Sequence, residues 1–504
     1  MSIFAKELKH YIEKSGMTIY MVAQSSGVNR TLIHRMTNGT RTPSKKETVS
    51  CIAKAMLLSP TDTNDLLEAY EMSKRGESAY RQLQLVKHLL INCARPSFLK
   101  LGVTPPRNFC SLNESNLNID ASPQLIMQRS QINQLICILL DMELKKPNGH
   151  VCLISQPNYT YLYDTLASMT NIAPTARIQN IICFDRTSES EDCYNLHCLE
   201  KLIPTLLANN SFEALCYYDH VSTLFNEWSL LPYMLLTNDY ALCFSEDANQ
   251  AMLFSDKKII RFMHNHFNKK LSCTNPICQS INTSLNTYWQ SLLSTMATEP
   301  PNVYTLLYQP CLIPFITLEI MTKHVNAEIC TPKMLENMAT HIANIQHPAA
   351  RIHSAFTLDG LELFMQTGRL TEVPRQFYQP LDMESRKQVL HNMLEAVKAG
   401  NLIPRIIDTT RFDMPISLSV DSLSQNKIII YLNHDDDNAF SLVINEPSLL
   451  HAFYEFLVYM QTSRLVFSEE ETLSMLHSLE KNIYMPNKLR LIQWICKHPL
   501  SLVK

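Results

Sequence analysis

Glycine is nearly missing from this chain, with nine residues in 504. A phosphate-cradling loop needs glycines where backbone approaches phosphate, and no P-loop, GxGxxG, GxSxG or HExxH motif occurs. The same scarcity argues against an all-β fold built on tight turns and favours helices. CxxC pairs are also missing. The fifteen cysteines are scattered, and Cys193/Cys198 and Cys273/Cys278 form CxxxxC pairs, a weak metal spacing with no second pair beside it. No apolar run of 18 or more residues occurs, so no transmembrane helix is expected. The opening MSIFAKELKH carries charges every few residues in place of an apolar signal-peptide core. These absences predict a cytoplasmic chain with no membrane partner, whose cysteines are reduced and act mostly as small buried hydrophobes.

Apolar residues make up 46% of the sequence and charged residues 18%, the balance of a globular protein with a sizeable core. The length suggests three or four domains. The formal net charge is −3, and it is unevenly placed. From Arg30 to Lys46 every ionised side chain is basic: Arg30, Arg35, Arg41, Lys45 and Lys46. A local basic patch on an acidic protein fits a module that docks a small surface on nucleic acid.

Residues 1–75 read as short helices. Phe4, Leu8 and Ile12 form an inward stripe on the first, which ends near Gly16. Thr18 caps a second over Ile19–Ser26, with Val22 and Ala23 inward, and Gly27 closes it. Asn29 caps a third that buries Ile33 and Met36 and ends at Asn38-Gly39. Ser44 and Glu47 are spaced as a capping box for a fourth, carrying Val49, Ile52, Ala53 and Met56, and a fifth is expected from about Asp62 to Ser73. Two short helices joined through a glycine, the second exposing basic side chains, form the arrangement of DNA-reading modules.

The segment from Thr18 to Gly39, TIYMVAQSSGVNRTLIHRMTNG, resembles the Cro/cI-like (Xre) family of helix-turn-helix transcriptional regulators. The inward alanine, the turn glycine followed by valine, the isoleucine of the third helix and the closing Asn-Gly stand where that family has them. Ile19 departs from it, since many members carry a phosphate-contacting glutamine there. The resemblance implies that Arg30, Thr31, His34 and Arg35 face the major groove, where arginine suits guanine edges. It also implies that Asn38 and Arg41 grip phosphate, helped by Lys45 and Lys46. Asn29 belongs to the same surface, although capping is its simpler role. The plainer alternative is a small helical bundle with a solvated basic face.

Beyond a connecting helix and linker at 76–122, an α/β domain is expected at 123–295 and a helical plus α/β domain at 296–504. The fold class is thus multidomain: an all-α helix-turn-helix domain followed by a mixed α/β (α+β) body. His150–Ser155, Ile178–Phe184 and Tyr233–Phe244 contain short apolar runs suited to strands, and Ile416–Val420, Lys427–Leu432 and Phe440–Ile444 are strand-like. Helices are expected at Gln124–Glu143, Leu199–Leu207 (kinked or restarted at Pro204), Lys257–Lys270, Thr331–Ile345, Ala349–Met365, Met383–Lys398 and Glu446–Gln461. Ala251–Lys270 and Ser441–Met460 share a strand–break–helix pattern, which hints at two related subdomains. The arrangement resembles Firmicutes-type regulators with large C-terminal regions, and the body resembles the inactive phospholipase-D-like sensor domains of some regulators.

The active phospholipase-D signature, HxKx4D, is absent. His264 and His266, two apart on a predicted helix, point to different faces and read as surface residues. Asp435-Asp436-Asp437 reads as a solvated hairpin loop, and His341, His347 and His353 drift around their helices. Thr367-Gly368-Arg369 reads as a helix C-cap. No catalytic residue, metal ligand or cofactor is assigned. The expected function is therefore a non-enzymatic, sequence-specific transcriptional regulator, a homodimer on double-stranded operator DNA in the nucleoid, whose body senses a small-molecule or peptide effector or assembles the oligomer. The alternatives are a phage or mobile-element control protein with a scaffold body, or an enzyme tethered to DNA.

Overall fold

The computed structural model describes residues 2–94, 123–169, 172–173, 175–186, 193–208, 211–221, 230–281, 302–328, 332–345, 347, 349–373, 375–424, 427–433 and 439–483. The chain divides into two units, the first formed by Met1–Val86 and the second beginning at Lys87. The first unit is all helical: α1 (Ile3–Lys14), α2 (Ile19–Ser26), α3 (Arg30–Thr37), α4 (Lys46–Ala55), α5 (Pro60–Arg75) and the start of α6 (Glu77–Cys93). Phe4, Leu8, Val22, Ile33, Met36, Val49, Ile52, Leu66 and Tyr70 form its core, as the 3.6-residue spacing of these apolar positions requires.

Local signals set most of the helix ends. Thr18 Oγ1 accepts from Met21 N at 3.3 Å, and Asn29 Oδ1 accepts from Thr31 N at 2.8 Å. Gly27 closes α2 in the left-handed conformation at φ 69°, where a side chain would be strained. The capping box expected at Ser44 and Glu47 does not form. Helix α4 starts one residue later than that spacing requires, with Lys45 at the cap and no side-chain capping bond. The fifth helix runs longer than expected because Ser59 caps it, accepting from Asp62 N at 3.1 Å, with Pro60 in the first turn.

The second unit holds two mixed sheets. Through the first run β1 (Gln124–Ile126), α7 (Arg129–Leu144), β2 (His150–Ile154), α8 (Thr160–Ser168), β3 (Arg177–Asp185), α9 (Tyr194–Ala208), β4 (Phe212–Asp219), β5 (Tyr233–Leu236), β6 (Ala241–Phe244), β7 (Ala251–Phe254), α10 (Lys257–Leu271) and β8 (Asn275–Pro276). After β9 (Cys278–Ile281) come β10 (Asn302–Leu307), α11 (Leu318–His324), α12 (Pro332–Ile345), β11 (Arg351–Phe356), α13 (Leu358–Thr367), α14 (Met383–Lys398), β12 (Leu402–Ile406), β13 (Leu418–Ser424), β14 (Lys427–Asn433), β15 (Ala439–Ile444), α15 (Pro447–Met460) and α16 (Glu469–Ile483).

Strand order is β1-β7-β6-β5-β2-β3-β4-β8 in one sheet and β12-β11-β10-β13-β14-β15-β9 in the other. Read from β7 to β4 and from β15 to β12, the two orders are the same, each with antiparallel strands followed by three parallel ones. The two strand–break–helix segments singled out in the sequence are β7 with α10 and β15 with α15, which occupy the same place in each order. Cys278–Ile281, which precedes residue 295, pairs with β15 in the second sheet.

The apolar runs of Tyr233–Phe244 form the hairpin β5–β6, turned where Thr237 N donates to Tyr240 O at 2.8 Å. Three local expectations need correction. Gln124–Glu143 is not helical from its start, because Gln124–Ile126 is the strand β1 paired with β7. Ala349–Met365 is not one helix, because its first part is the strand β11, paired on both edges, and helix α13 starts only at Leu358. Burial against both neighbours overrides the helical spacing there. Pro204 lies inside the continuous helix α9. Helix α13 begins against backbone. A Cβ at Gly360 would meet the Tyr308 carbonyl oxygen at 2.1 Å, so only glycine fits. Gly368 ends α13 at φ 69°, as the Thr-Gly-Arg sequence predicted.

Candidate metal centre and candidate nucleic-acid interface

In the first unit, α2 and α3 pack together around Val22, Ile33 and Met36. This leaves the other side of α3 open, and Arg30, Thr31, His34, Arg35 and Asn38 are all exposed on it or at its end. Arg30 is not loose, since its guanidinium lies over the exposed Tyr20 ring at 5.8 Å. Asn38 Nδ2 lies 3.3 Å from His34 Nδ1. Arg41 and Lys45 are exposed, and Lys46 is half-buried. Asn29 spends its side-chain oxygen on capping α3.

A second constellation lies in the first sheet. His150 and Cys152 are two apart on β2 and therefore share one face of the sheet. Helix α10 crosses that face, with Ile260 and Phe267 buried in it, and these two fix the helix's rotation so that His264, between them, is half-buried. The surface role expected for His264 is thus corrected, while His266 is exposed beside Phe262. One ligand atom each from His150, Cys152 and His264 fall within 4.8 Å of one another. The two imidazoles stack at 6.2 Å, and Cys152 Sγ lies 3.5 Å from His150 Nε2 and 3.8 Å from Nδ1. Burial pushes the Cys152 thiol up to about 12.

Neighbouring groups hold both rings. Arg177 pairs with both Glu213 carboxylate oxygens, at 3.1 and 2.9 Å, and Gln179 Nε2 donates to Glu213 at 2.9 Å. A carboxylate only accepts, so the Gln179 oxygen must face His150 Nε2, 3.1 Å away, which makes that nitrogen the donor. His264 Nε2 lies 3.0 Å from the Thr237 carbonyl oxygen and must donate to it. In the neutral rings Nδ1 is then the unprotonated nitrogen of each. Buried Glu143 supports both sides, accepting from His150 N at 3.0 Å and from the side chain of Asn238, next to Thr237.

Two carboxyls in the second unit are perturbed, Glu372 in the turn after α13 and Asp421 on β13. Burial pushes Glu372 up to about 7, with its hydrogen bond to Cys311 pulling the other way. Asp421, on β13 opposite Thr305, is held well above the usual carboxylate range by burial and by the nearby Glu372 charge.

The other singled-out residues do not converge. His341 is on α12, His347 is in a loop bonded to Ala349 N, and His353 is on β11, stacked on Tyr304 at 4.4 Å. Burial and the Arg405 charge lower the His353 pKa. Cys273 is exposed while Cys278 is buried, and the Cys193/Cys198 pair is half-buried and buried. Asp435-Asp436-Asp437 lies outside the described residues.

No family model and no curated protein matches this chain. Among solved structures, a phosphatidylserine synthase of Haemophilus influenzae Rd KW20 matches at 10% identity and a TM-score of 0.22, covering 68% of this chain and 87% of that one. A polyphosphate kinase from Porphyromonas gingivalis matches at 9% identity and a TM-score of 0.21, covering 73% of this chain and 56% of that one. Both matched structures are enzymes, and the expectations of a transcriptional regulator and of a chain without enzymatic activity are withdrawn. The helix-turn-helix pattern covers only the first 75 of 504 residues, and residues that meet across a sheet leave no motif in the sequence. Likeness at this level brings neither enzyme's activity to this chain.

Proposed function

We propose that the first unit binds double-stranded DNA through α3 and the loop that follows it. The observation that carries this is the exposed Arg30 and Arg35 on α3, continued by exposed Arg41 and Lys45 in the loop that follows, along a run of sequence with no acidic residue. Cations displayed this way displace condensed counterions from a duplex, which is the main source of sequence-independent affinity. Arg30, Thr31, His34 and Arg35 lie against the groove, while Asn38, Arg41, Lys45 and Lys46 contact phosphate. Asn29 serves this surface by starting the helix. On a duplex the chain acts as a homodimer, because one short helix covers few base pairs and a two-fold pair doubles the contact. Nucleoid association follows from this reading, and no regulatory role is attached to it.

Fluorescence anisotropy of the full chain on a mixed-sequence duplex, titrated across salt, tests it. Wild type should bind with a linear log–log salt dependence. Arg41→Ala, Lys45→Ala and Lys46→Ala should each shrink the slope by about 1. Binding unchanged by these substitutions together with Arg30→Ala and Arg35→Ala, or no binding at low salt, would sink the proposal.

A further inference from the structure

We infer that His150, Cys152 and His264 bind one divalent transition-metal ion of the zinc class. The inference concerns the second unit and stands apart from the DNA reading. One thiolate with two imidazoles is a donor set that suits zinc, cobalt, nickel or copper and disfavours magnesium and calcium, which take oxygen ligands.

The donors stand near metal-binding separation, and Sγ lies as close to Nε2 as to Nδ1, so the His150 ring must turn to aim Nδ1 at the ion. Bond lengths of about 2.3 Å to sulfur and 2.05 Å to nitrogen in a tetrahedron place sulfur and nitrogen roughly 3.6 Å apart and two nitrogens roughly 3.3 Å apart. Nδ1, the His150 nitrogen left free by the bond to Gln179, stands 3.8 Å from Cys152 Sγ, and one ligand atom from each of the three residues falls within 4.8 Å of the others. Two ligands sit on a strand inside the sheet, and the third on a helix locked by Ile260 and Phe267.

Supporting hydrogen bonds point the same way. A ligating histidine ordinarily gives its other ring N–H to a carbonyl or a similar acceptor, which fixes the ring and its tautomer. Here both rings do so, His264 to the Thr237 carbonyl and His150 to the Gln179 oxygen, which is oriented by Glu213 and Arg177. A purely structural cluster has no need for two neighbouring imidazoles to direct the same nitrogen's proton away. Three protein ligands leave a fourth position, the pattern of zinc sites that bind water or substrate there. On binding, the Cys152 thiol releases its proton to solvent and the sulfur donates a lone pair to the metal, with no redox change.

The experiment uses the full chain, stripped with a chelator and titrated with Co(II), then with Zn(II) in competition. One cobalt per chain should bind with tetrahedral visible bands and a near-ultraviolet sulfur-to-cobalt charge-transfer band, and one zinc should displace it. Cys152→Ser should abolish the sulfur band, and Gln179→Leu should weaken binding about 10- to 100-fold. Cys273→Ser, at an exposed thiol, should leave both unchanged. Circular dichroism checks folding, and His264→Ala decides the matter if Cys152→Ser does not fold, since it should cost more affinity than Gln179→Leu. The inference is overturned if wild type binds no stoichiometric cobalt, gives an octahedral spectrum without the sulfur band, or keeps its affinity in His264→Ala.

Discussion

Glu372 is a carboxyl whose surroundings work against its charge. Protein packed around it leaves little solvent to stabilise the anion, so its pKa rises to about 7, and Asp421 nearby is raised for the same reason and by the Glu372 charge. A folded-state pKa above the unfolded value means that the native state holds the proton more tightly. The contribution to stability is then complete below about 4.5 and is lost as pH rises through about 7. Denaturant titrations of wild type should show stability of the second unit declining across that window. Glu372→Gln, which stays neutral, should flatten the decline, and an equally steep decline in the variant would refute the assignment. Neither carboxyl was singled out in the sequence, because each lies in a segment without a motif and burial depends on what packs above it.

Among the elements, α13 shows how a helix start can be pinned to a strand end. Thr357 is fully buried, accepts from Gly360 N at 2.9 Å and donates to the Tyr308 carbonyl at 2.7 Å. Replacing it by valine keeps the shape but strands a buried N–H and weakens the hold on a buried carbonyl. The expected cost is about 2–4 kcal/mol, combining a lost cap with an unsatisfied polar group. Chemical denaturation with an unchanged m-value would confirm it, whereas a loss under about 1 kcal/mol would show that water replaces both bonds. Caps of this kind were partly legible: Thr18, Asn29 and Gly368 act as their sequences predicted. Ser44 does not, because a capping box depends on register to one residue and α4 starts at Lys46.

At the scale of the whole second unit, the two sheets repeat one strand order and meet through side chains from both. The Tyr218 hydroxyl, at the end of β4, donates to Glu446, which is buried and also caps α15 through Ser448 N and Leu449 N. Asn195 on α9 donates to Ser448 Oγ at 3.0 Å. The buried Glu446 side chain is thus hydrogen-bonded from both sides of the seam, as a buried polar group requires. Tyr218→Phe removes one of these hydrogen bonds and should cost about 1–2 kcal/mol, discounted because the Tyr218 side chain is partly exposed. Thermal melting followed by intrinsic fluorescence would read it as a lowered midpoint, and an unchanged midpoint would mean that the seam does not depend on this bond.

The sequence by itself determined the helices of residues 3–75, their inward stripes, and the basic face of α3. Those signals are local: a 3.6-residue period, a cap and a glycine act within a turn or two. It also marked the strand–break–helix segments at Ala251–Lys270 and Ser441–Met460, since each is an amphipathic pattern within twenty residues. Only the tertiary structure decided that these segments occupy the same place in two identically ordered sheets, that Ala349–Met365 opens as a strand, and that His264 turns inward. The meeting of His264 with His150 and Cys152 joins residues more than a hundred positions apart. It depends on which strands lie beside β2 and on how α10 is rotated over them, and both are fixed by long-range burial rather than by any neighbour in the chain.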